Sequence, residues 1–170
     1  MLIFKDKVTG DELFSDANNM KLIDNIYYEV YAKVRTENTG IDESLLGSNP
    51  SAEDAQETAC DGSISGIDIV LANRLKPTGF DKKGFGTLIK DYFKKGIAAL
   101  EDEGIPKEEI DEIKQRCGEK CKKLYSEYKE MEFWLGESQE PEGLVGISYY
   151  TGDTEVTMIF FKFGLNREKF

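Results

Sequence analysis

Histidine is absent from the 170-residue sequence, and this absence excludes several kinds of enzyme. A serine or cysteine nucleophile commonly needs a histidine base, and the common zinc hydrolases bind their metal through histidine. No Gly-rich phosphate loop ending in Gly-Lys-Ser/Thr occurs, so the common nucleotide-binding motif is also missing. Carboxylates are plentiful, but they cluster in a segment that is unsuited to hold a fixed pair. We therefore expect no catalytic residues.

Basic residues and long apolar runs are also scarce. The chain has 22 Lys and Arg against 33 Asp and Glu, and its net charge of −11 argues against nucleic acid, whose phosphates attract clustered cations. No run approaches the length of a membrane span, and Lys5 and Asp6 come too early for the apolar core of a signal peptide. We therefore expect a cytoplasmic protein.

Cysteine occurs three times, at Cys60, Cys117 and Cys121. An odd number fits reduced thiols better than a disulfide framework. Cys117 and Cys121 are one helical turn apart and can share a helix face, but a metal would gain only Cys60 as a third sulfur ligand. Buried or partly buried thiols are therefore the favoured interpretation.

Lysine and arginine are missing from Thr36 to Asn73, a segment that carries eight of the eleven net negative charges. Alternating apolar residues precede it from Ile26 to Val34, and a second predicted strand covers residues 64–71. The segment between them buries too little apolar surface to offset its ordering entropy. We predict a long, mobile and removable loop over residues 38–62.

Short alternating and apolar runs predict strands elsewhere. Residues 1–4 and 12–14 form a predicted hairpin, and the strand after it ends at Arg35. Further strands are predicted over residues 131–135, 144–150 and 156–163. Within the strand over residues 64–71, Asp68 either faces solvent, which is commoner, or accepts backbone hydrogen bonds.

Two amphipathic helices are predicted between these strands. Apolar residues recur at steps of three and four from Phe85 to Leu100, with Asp81 as the N-cap and Gly104 as the stop. Pro106 suits the first position of a second helix, whose apolar seam runs from Ile110 to Tyr128. Such closely joined helices pack antiparallel, and helices grouped between runs of strands indicate an α+β fold.

Charged residues on the hairpins are candidates for partner contacts. The first helix carries Lys82, Lys83, Lys90, Lys94 and Lys95. These lysines are either a local basic face for an acidic partner or a solvated helix surface, and the pattern alone favours the second. Asp11 and Glu12 flank the second arm of the N-terminal hairpin, where the pattern alone indicates ordinary edge charge.

Two segments resemble the translationally controlled tumour protein family. One is the loop signature Leu45-Leu46-Gly47-Ser48-Asn49-Pro50-Ser51-Ala52-Glu53-Asp54, in which Leu46, Gly47, Asn49, Ser51, Ala52 and Glu53 match the pattern. The other covers residues 133–137, 141–145 and 158–165 near the C-terminus. Shorter matches at residues 3–6, 11–16, 67–70 and 89–92 extend the resemblance across the chain.

The resemblance implies a β-tent of small, mostly antiparallel sheets, with a projecting helical hairpin over residues 81–130 and a flexible acidic loop over residues 38–63. One domain would then span residues 1–170, with its β core in residues 1–37, 64–80 and 131–170. The chain ends in Phe170 where many members have cysteine, so we expect a monomer rather than a disulfide-linked dimer.

The resemblance also implies a non-enzymatic adaptor or chaperone-like protein of growth control and cell survival that binds calcium, tubulin or microtubules, small GTPases and other proteins. In the family the hairpin is associated with tubulin and calcium, and the position of Glu12 with a Rheb-type small GTPase. The alternative is an exchange or accessory factor for such a GTPase.

Two further expectations concern the acidic residues. Acidic neighbours make Ser51, and less surely Ser44 and Ser48, substrates for an acid-directed kinase. Ca²⁺ prefers oxygen ligands, but the chain lacks a spaced Asp-x-Asp-x-Asp-Gly loop. We therefore expect weak binding through carboxylates and carbonyls, with a dissociation constant no better than roughly 10⁻⁴ M, as in weak extracellular modules.

Overall fold

A computed structural model describes residues 1–38 and 63–169 of the chain. The predicted mobile loop and the loop signature, including Ser44, Ser48, Ser51 and Cys60, lie outside the described residues, apart from Asn38, which ends a strand. Phe170 also lies outside them.

Ten strands and three helices occur in the described part of the chain. The strands are β1 (Leu2–Asp6), β2 (Glu12–Ser15), β3 (Met20–Ile23), β4 (Tyr27–Asn38), β5 (Ser63–Ile67), β6 (Lys76–Thr78), β7 (Glu132–Leu135), β8 (Gly146–Tyr150), β9 (Glu155–Phe161) and β10 (Leu165–Lys169). The helices are α1 (Asp68–Asn73), α2 (Lys82–Asp102) and α3 (Lys107–Ser126), and single 3₁₀ turns cover Tyr128–Glu130 and Lys162–Gly164.

The strands form two antiparallel sheets. The smaller has the order β10-β1-β2, and the larger has the order β3-β4-β9-β8-β7-β6, with β5 paired to the end of β4. Residues 27–33 of β4 pair with β9, whereas residues 34–38 pair with β5. The long strand β4 therefore changes its partner along its length. The predicted α+β class, with mostly antiparallel strands, is confirmed.

Aromatic rings join the two sheets. Phe14 of the small sheet stacks between Phe4 and Phe160, with ring centroids 4.5 and 4.7 Å apart. Phe14 and Phe160 are almost fully buried, so their stacked rings bury apolar area between the small sheet and the large one.

The two predicted amphipathic helices are confirmed as α2 and α3. Asp81 caps α2 by accepting a hydrogen bond from Gly84 N at 2.6 Å, and Gly104 follows the helix with φ of +78°, a conformation that favours glycine. The apolar face of α2 lies in the core. Pro106 is the N-cap of α3 rather than its first residue, and Tyr128 lies beyond its end.

The predicted strand over residues 64–71 is wrong from Asp68 onward, where α1 begins. The Asp68 carboxylate accepts hydrogen bonds from Ile69 N at 2.7 Å and Lys33 N at 3.2 Å, and it pairs with Arg35 at 3.6 Å. Of the two alternatives for Asp68, the structure therefore has the hydrogen-bonded one. These contacts hold Asp68 at the start of a helix where β-branched residues predicted a strand.

Other element bounds also differ from the sequence predictions. Strands β3, β6 and β10 lie in segments for which no strand was predicted. The predicted strand over residues 144–150 begins only at Gly146, and that over residues 156–163 gives way to a 3₁₀ turn at Lys162. In the described residues, no helix combines the length and the apolar character needed to cross a bilayer.

Candidate functional site

The five predicted hairpin lysines are all exposed on α2, but they differ in their contacts. Lys95 pairs with Asp91 at 3.1 Å and lies 5.8 Å from the Phe163 ring, while Lys82 lies 5.1 Å from the Tyr125 ring. Within the described residues, Lys83, Lys90 and Lys94 form no ion pair. These three are spaced seven and four residues apart and therefore share one helix face.

A groove between α2 and α3 gives this basic face its shape. Its volume is about 450 Å³, and it is lined by Lys83, Gly86, Thr87, Ile89, Lys90, Cys121, Lys122 and Tyr125. We call Lys83, Lys90, Lys94 and Lys122 the lysine face. Lys122 was not among the predicted site residues, because its position opposite Lys83 and Lys90 depends on how the helices pack.

Gly86 permits the close approach of the two helices at this groove. A Cβ at this position would lie 2.9 Å from a ring carbon of Tyr125, so a larger residue would displace the ring. Glycine weakens a helix interior by roughly 1 kcal/mol relative to alanine. Here it lets an aromatic ring lie across α2 and form a wall of the groove.

Asp11 and Glu12, the two predicted partner-contact residues, have different surroundings. The Asp11 carboxylate accepts hydrogen bonds from Ser138 N at 3.1 Å and Ser138 Oγ at 2.5 Å. Partial burial opposes ionisation, but these hydrogen bonds outweigh it and hold the pKa of Asp11 below its ordinary value. Asp11 therefore holds the loop after β7 through its Oδ2 atom.

Glu12 is exposed and makes no ion pair with any described residue. It borders an open cleft of about 460 Å³, lined by Gly10, Asp11, Glu12, Ala72, Asn73, Arg74 and Glu137. Arg74 and Glu137 pair across this cleft at 3.3 Å. Both acidic residues line the cleft, and Glu12 is the more exposed of the two.

The prediction of buried or partly buried thiols is confirmed for Cys117 and Cys121. Cys117 is 1% exposed and Cys121 is half-buried, and both are free thiols on α3. A hydrogen bond between them raises the pKa of Cys117, as does burial, and lowers the pKa of Cys121. Lys120 favours the Cys121 thiolate further against the effect of burial.

No group of three or more acidic or sulfur side chains that could hold a metal ion occurs within residues 1–38 and 63–169. The calcium prediction therefore has no assigned ligands in that part of the chain. The loop-signature residues and the three candidate phosphorylation serines lie outside it.

Comparisons with known proteins give one consistent result. The family model described as "Translationally controlled tumour protein" matches residues 1–166. A translationally-controlled tumor protein homolog of Aedes albopictus is 44% identical over 174 residues, and one of Branchiostoma belcheri is 42% identical over 171, with all of each chain covered.

Two solved structures are also similar over the whole chain. The translationally controlled tumor-associated protein p23fyp of Schizosaccharomyces pombe has a TM-score of 0.71 and 39% identity, and both chains are fully covered. The translationally-controlled tumor protein of Caenorhabditis elegans has a TM-score of 0.67 and 30% identity, covering 100% of this chain and 99% of that one.

Proposed function

Because this chain belongs to the translationally controlled tumour protein family, we propose that it is a non-enzymatic binding protein that contacts the acidic surface of tubulin through the lysine face. The observation that carries the proposal is a set of exposed lysines without ion-pair partners in the described residues, around an apolar-floored groove. A chain of net charge −11 approaches acidic tubulin only through such a local basic surface.

Charge reversal at Lys83, Lys90 and Lys94 is expected to weaken co-sedimentation with microtubules about tenfold at low salt. The effect should shrink as salt rises, because exposed charges are screened. The melting temperature should stay within about 2 °C of wild type, since exposed charges contribute little to folding. Lys95 is left unchanged because Asp91 already neutralises it.

A matched control reverses the charge of three exposed lysines that do not line the groove, namely Lys21, Lys107 and Lys114. It changes the net charge equally, so a general repulsion from tubulin would affect both variants alike. If the lysine-face variant stays folded and pellets as wild type does, the lysine face is only a solvated helix surface.

A second candidate function, assistance of nucleotide exchange on a Rheb-type small GTPase, is favoured by the exposure of Glu12 at the cleft beside Arg74. The wild-type protein should then accelerate nucleotide release, and Glu12→Ala should abolish the acceleration without changing the melting temperature. Asp11→Asn is the comparison variant for a purely structural effect, because it weakens the hydrogen bonds from Ser138. A release rate unaffected by the wild-type protein would eliminate this function.

The same proposal includes a location, a cellular role and a weakly bound ion. The protein acts in the cytosol, in growth control and cell survival, as an adaptor or chaperone-like factor. Ca²⁺ binds weakly through carboxylate and carbonyl oxygens, the ligands that a hard cation prefers. Titration calorimetry giving a dissociation constant below about a micromolar would contradict this expectation, because such affinity requires an organised site.

A further inference from the structure

The groove between α2 and α3 combines three features that its role as a basic surface does not use. Its volume of about 450 Å³ lies within the range of small-molecule sites, roughly 300–1,000 Å³. Its apolar part comes from Ile89 and Tyr125, and no acidic residue lines it among the described residues. It also contains a thiol, that of Cys121.

Cys121 is one of two cysteines that face each other along α3. Cys117, four residues earlier, is buried and hydrogen-bonded to Cys121. This contact stabilises negative charge on Cys121, the residue of the pair that borders the groove, and Lys120 adds to the effect. A half-buried thiol that accepts a hydrogen bond and lies near a lysine has the features of a reactive cysteine, whereas Cys117 has those of an inert one.

We propose that Cys121 is a site of mixed-disulfide formation with an anionic low-molecular-weight disulfide of the glutathione type, which Lys83, Lys90 and Lys122 hold in the groove. Glutathione disulfide carries four carboxylates, so the half of the molecule that enters the groove can reach several ammonium groups. Its short peptide chains fit a groove that combines apolar walls with charged rims.

The reaction is a thiol–disulfide exchange. The Cys121 thiolate attacks one sulfur of the disulfide, a new S–S bond to Cys121 forms, and the original S–S bond breaks. Its electron pair leaves with the second half as a thiolate, which takes up a proton from solvent. The disulfide itself is the oxidant, and one half of it is reduced while Cys121 is oxidised.

Cys117 is poorly placed to displace the bound group by forming a disulfide with Cys121. Helical residues four apart have Cβ atoms about 5–6 Å apart, whereas a disulfide needs about 3.5–4.5 Å. Formation of the Cys117–Cys121 bond would require local unwinding of α3. The mixed disulfide should therefore persist until an external thiol removes it.

The test follows adduct formation by intact-protein mass spectrometry and peptide mapping in the full chain with Cys60→Ser. One glutathionyl group should appear on Cys121 with glutathione disulfide, and none should appear when Cys121→Ser is added. Neutralising the groove with Lys83→Gln, Lys90→Gln and Lys122→Gln should slow the reaction about tenfold, because the groove no longer concentrates anions. The rate with uncharged hydroxyethyl disulfide should change less than twofold.

The control variant carries Lys21→Gln, Lys107→Gln and Lys114→Gln, which alter the net charge equally away from the groove, and it should react as the parent does. The proposal is overturned if Cys121 gains no adduct under conditions that modify a free peptide thiol. It is also overturned if the adduct maps to Cys117, or if the groove and control variants react at the same rate.

Discussion

Truncation of Phe85 to alanine is expected to lower the free energy of unfolding by about 3–5 kcal/mol. Phe85 is 0% exposed and joins α2 to the large sheet. Its ring centroid lies 5.1 Å from that of Phe133 on β7 and 5.9 Å from that of Tyr128. Alanine would leave a cavity at the contact that fixes the start of the helical hairpin, and the surrounding rigid aromatic rings can close it only in part.

Equilibrium unfolding in urea measures this loss, and Tyr150→Ala is the control. Tyr150 is also an aromatic residue of the large sheet, but it is 51% exposed, so its truncation should cost less than about 1 kcal/mol. A Phe85→Ala loss as small as that of the control would mean that the hairpin is not held by this aromatic contact.

The sequence predicts α2 and α3 well because each buries an apolar stripe of its own. The stripe from Phe85 to Leu100 has the helical period, and a periodic stripe indicates a helix whichever surface it packs against. The missed strands have no comparable local signal. Leu22 of β3 is exposed, β6 contains Pro77, and β10 is exposed after Leu165, so their pairing depends on distant neighbours.

The segment that contains α1 shows how tertiary contacts override local preference. Residues 67–71 are rich in β-branched and apolar side chains, which are typical of a buried strand. The Asp68 carboxylate instead accepts hydrogen bonds from the amide of Lys33 on β4 and from that of Ile69, the second residue of α1. The contact with Lys33 is not visible in the sequence, because the two residues are 35 positions apart.

The candidate site was predictable as a set of residues but not as a surface. The periodicity places the α2 lysines on the hairpin, yet it does not show that Asp91 neutralises Lys95 or that Lys122 approaches from α3. Similarly, Asp11 and Glu12 are adjacent acids in the sequence. Only the contact with Ser138 separates a structural carboxylate from an exposed one.

Residues 143–145 form a buried junction between the small sheet, α2 and the large sheet. Leu144 N donates to Asp6 Oδ2 at 2.7 Å, and Val145 N donates to the Tyr92 hydroxyl at 2.8 Å. Burial raises the pKa of Tyr92 to about 12. The negative charges of Asp6 and Asp91 add to this effect, and the hydrogen bond from Val145 N opposes it. Side chains from β1 and α2 thus satisfy backbone groups that were predicted to belong to a strand.

Asp6→Ala is expected to lower the free energy of unfolding by about 3 kcal/mol or more, because a hydrogen bond to a charged group contributes about 1.5–3 kcal/mol. The Asp6 carboxylate is 2% exposed and also accepts from Val8 N at 2.8 Å, so alanine removes two such bonds. It leaves the buried Leu144 amide without an acceptor, and water reaches that site only if the junction opens.

Two milder variants give the comparison that tests this explanation. Tyr92→Phe removes one neutral acceptor from Val145 N and should cost about 1–3 kcal/mol, less than Asp6→Ala. Asp6→Asn keeps the size of the side chain and one acceptor oxygen. Its free energy of unfolding should therefore lie between those of the wild-type protein and Asp6→Ala. Urea unfolding of the three variants gives the order directly. If Asp6→Ala costs no more than Tyr92→Phe, charge on the Asp6 carboxylate does not stabilise the junction.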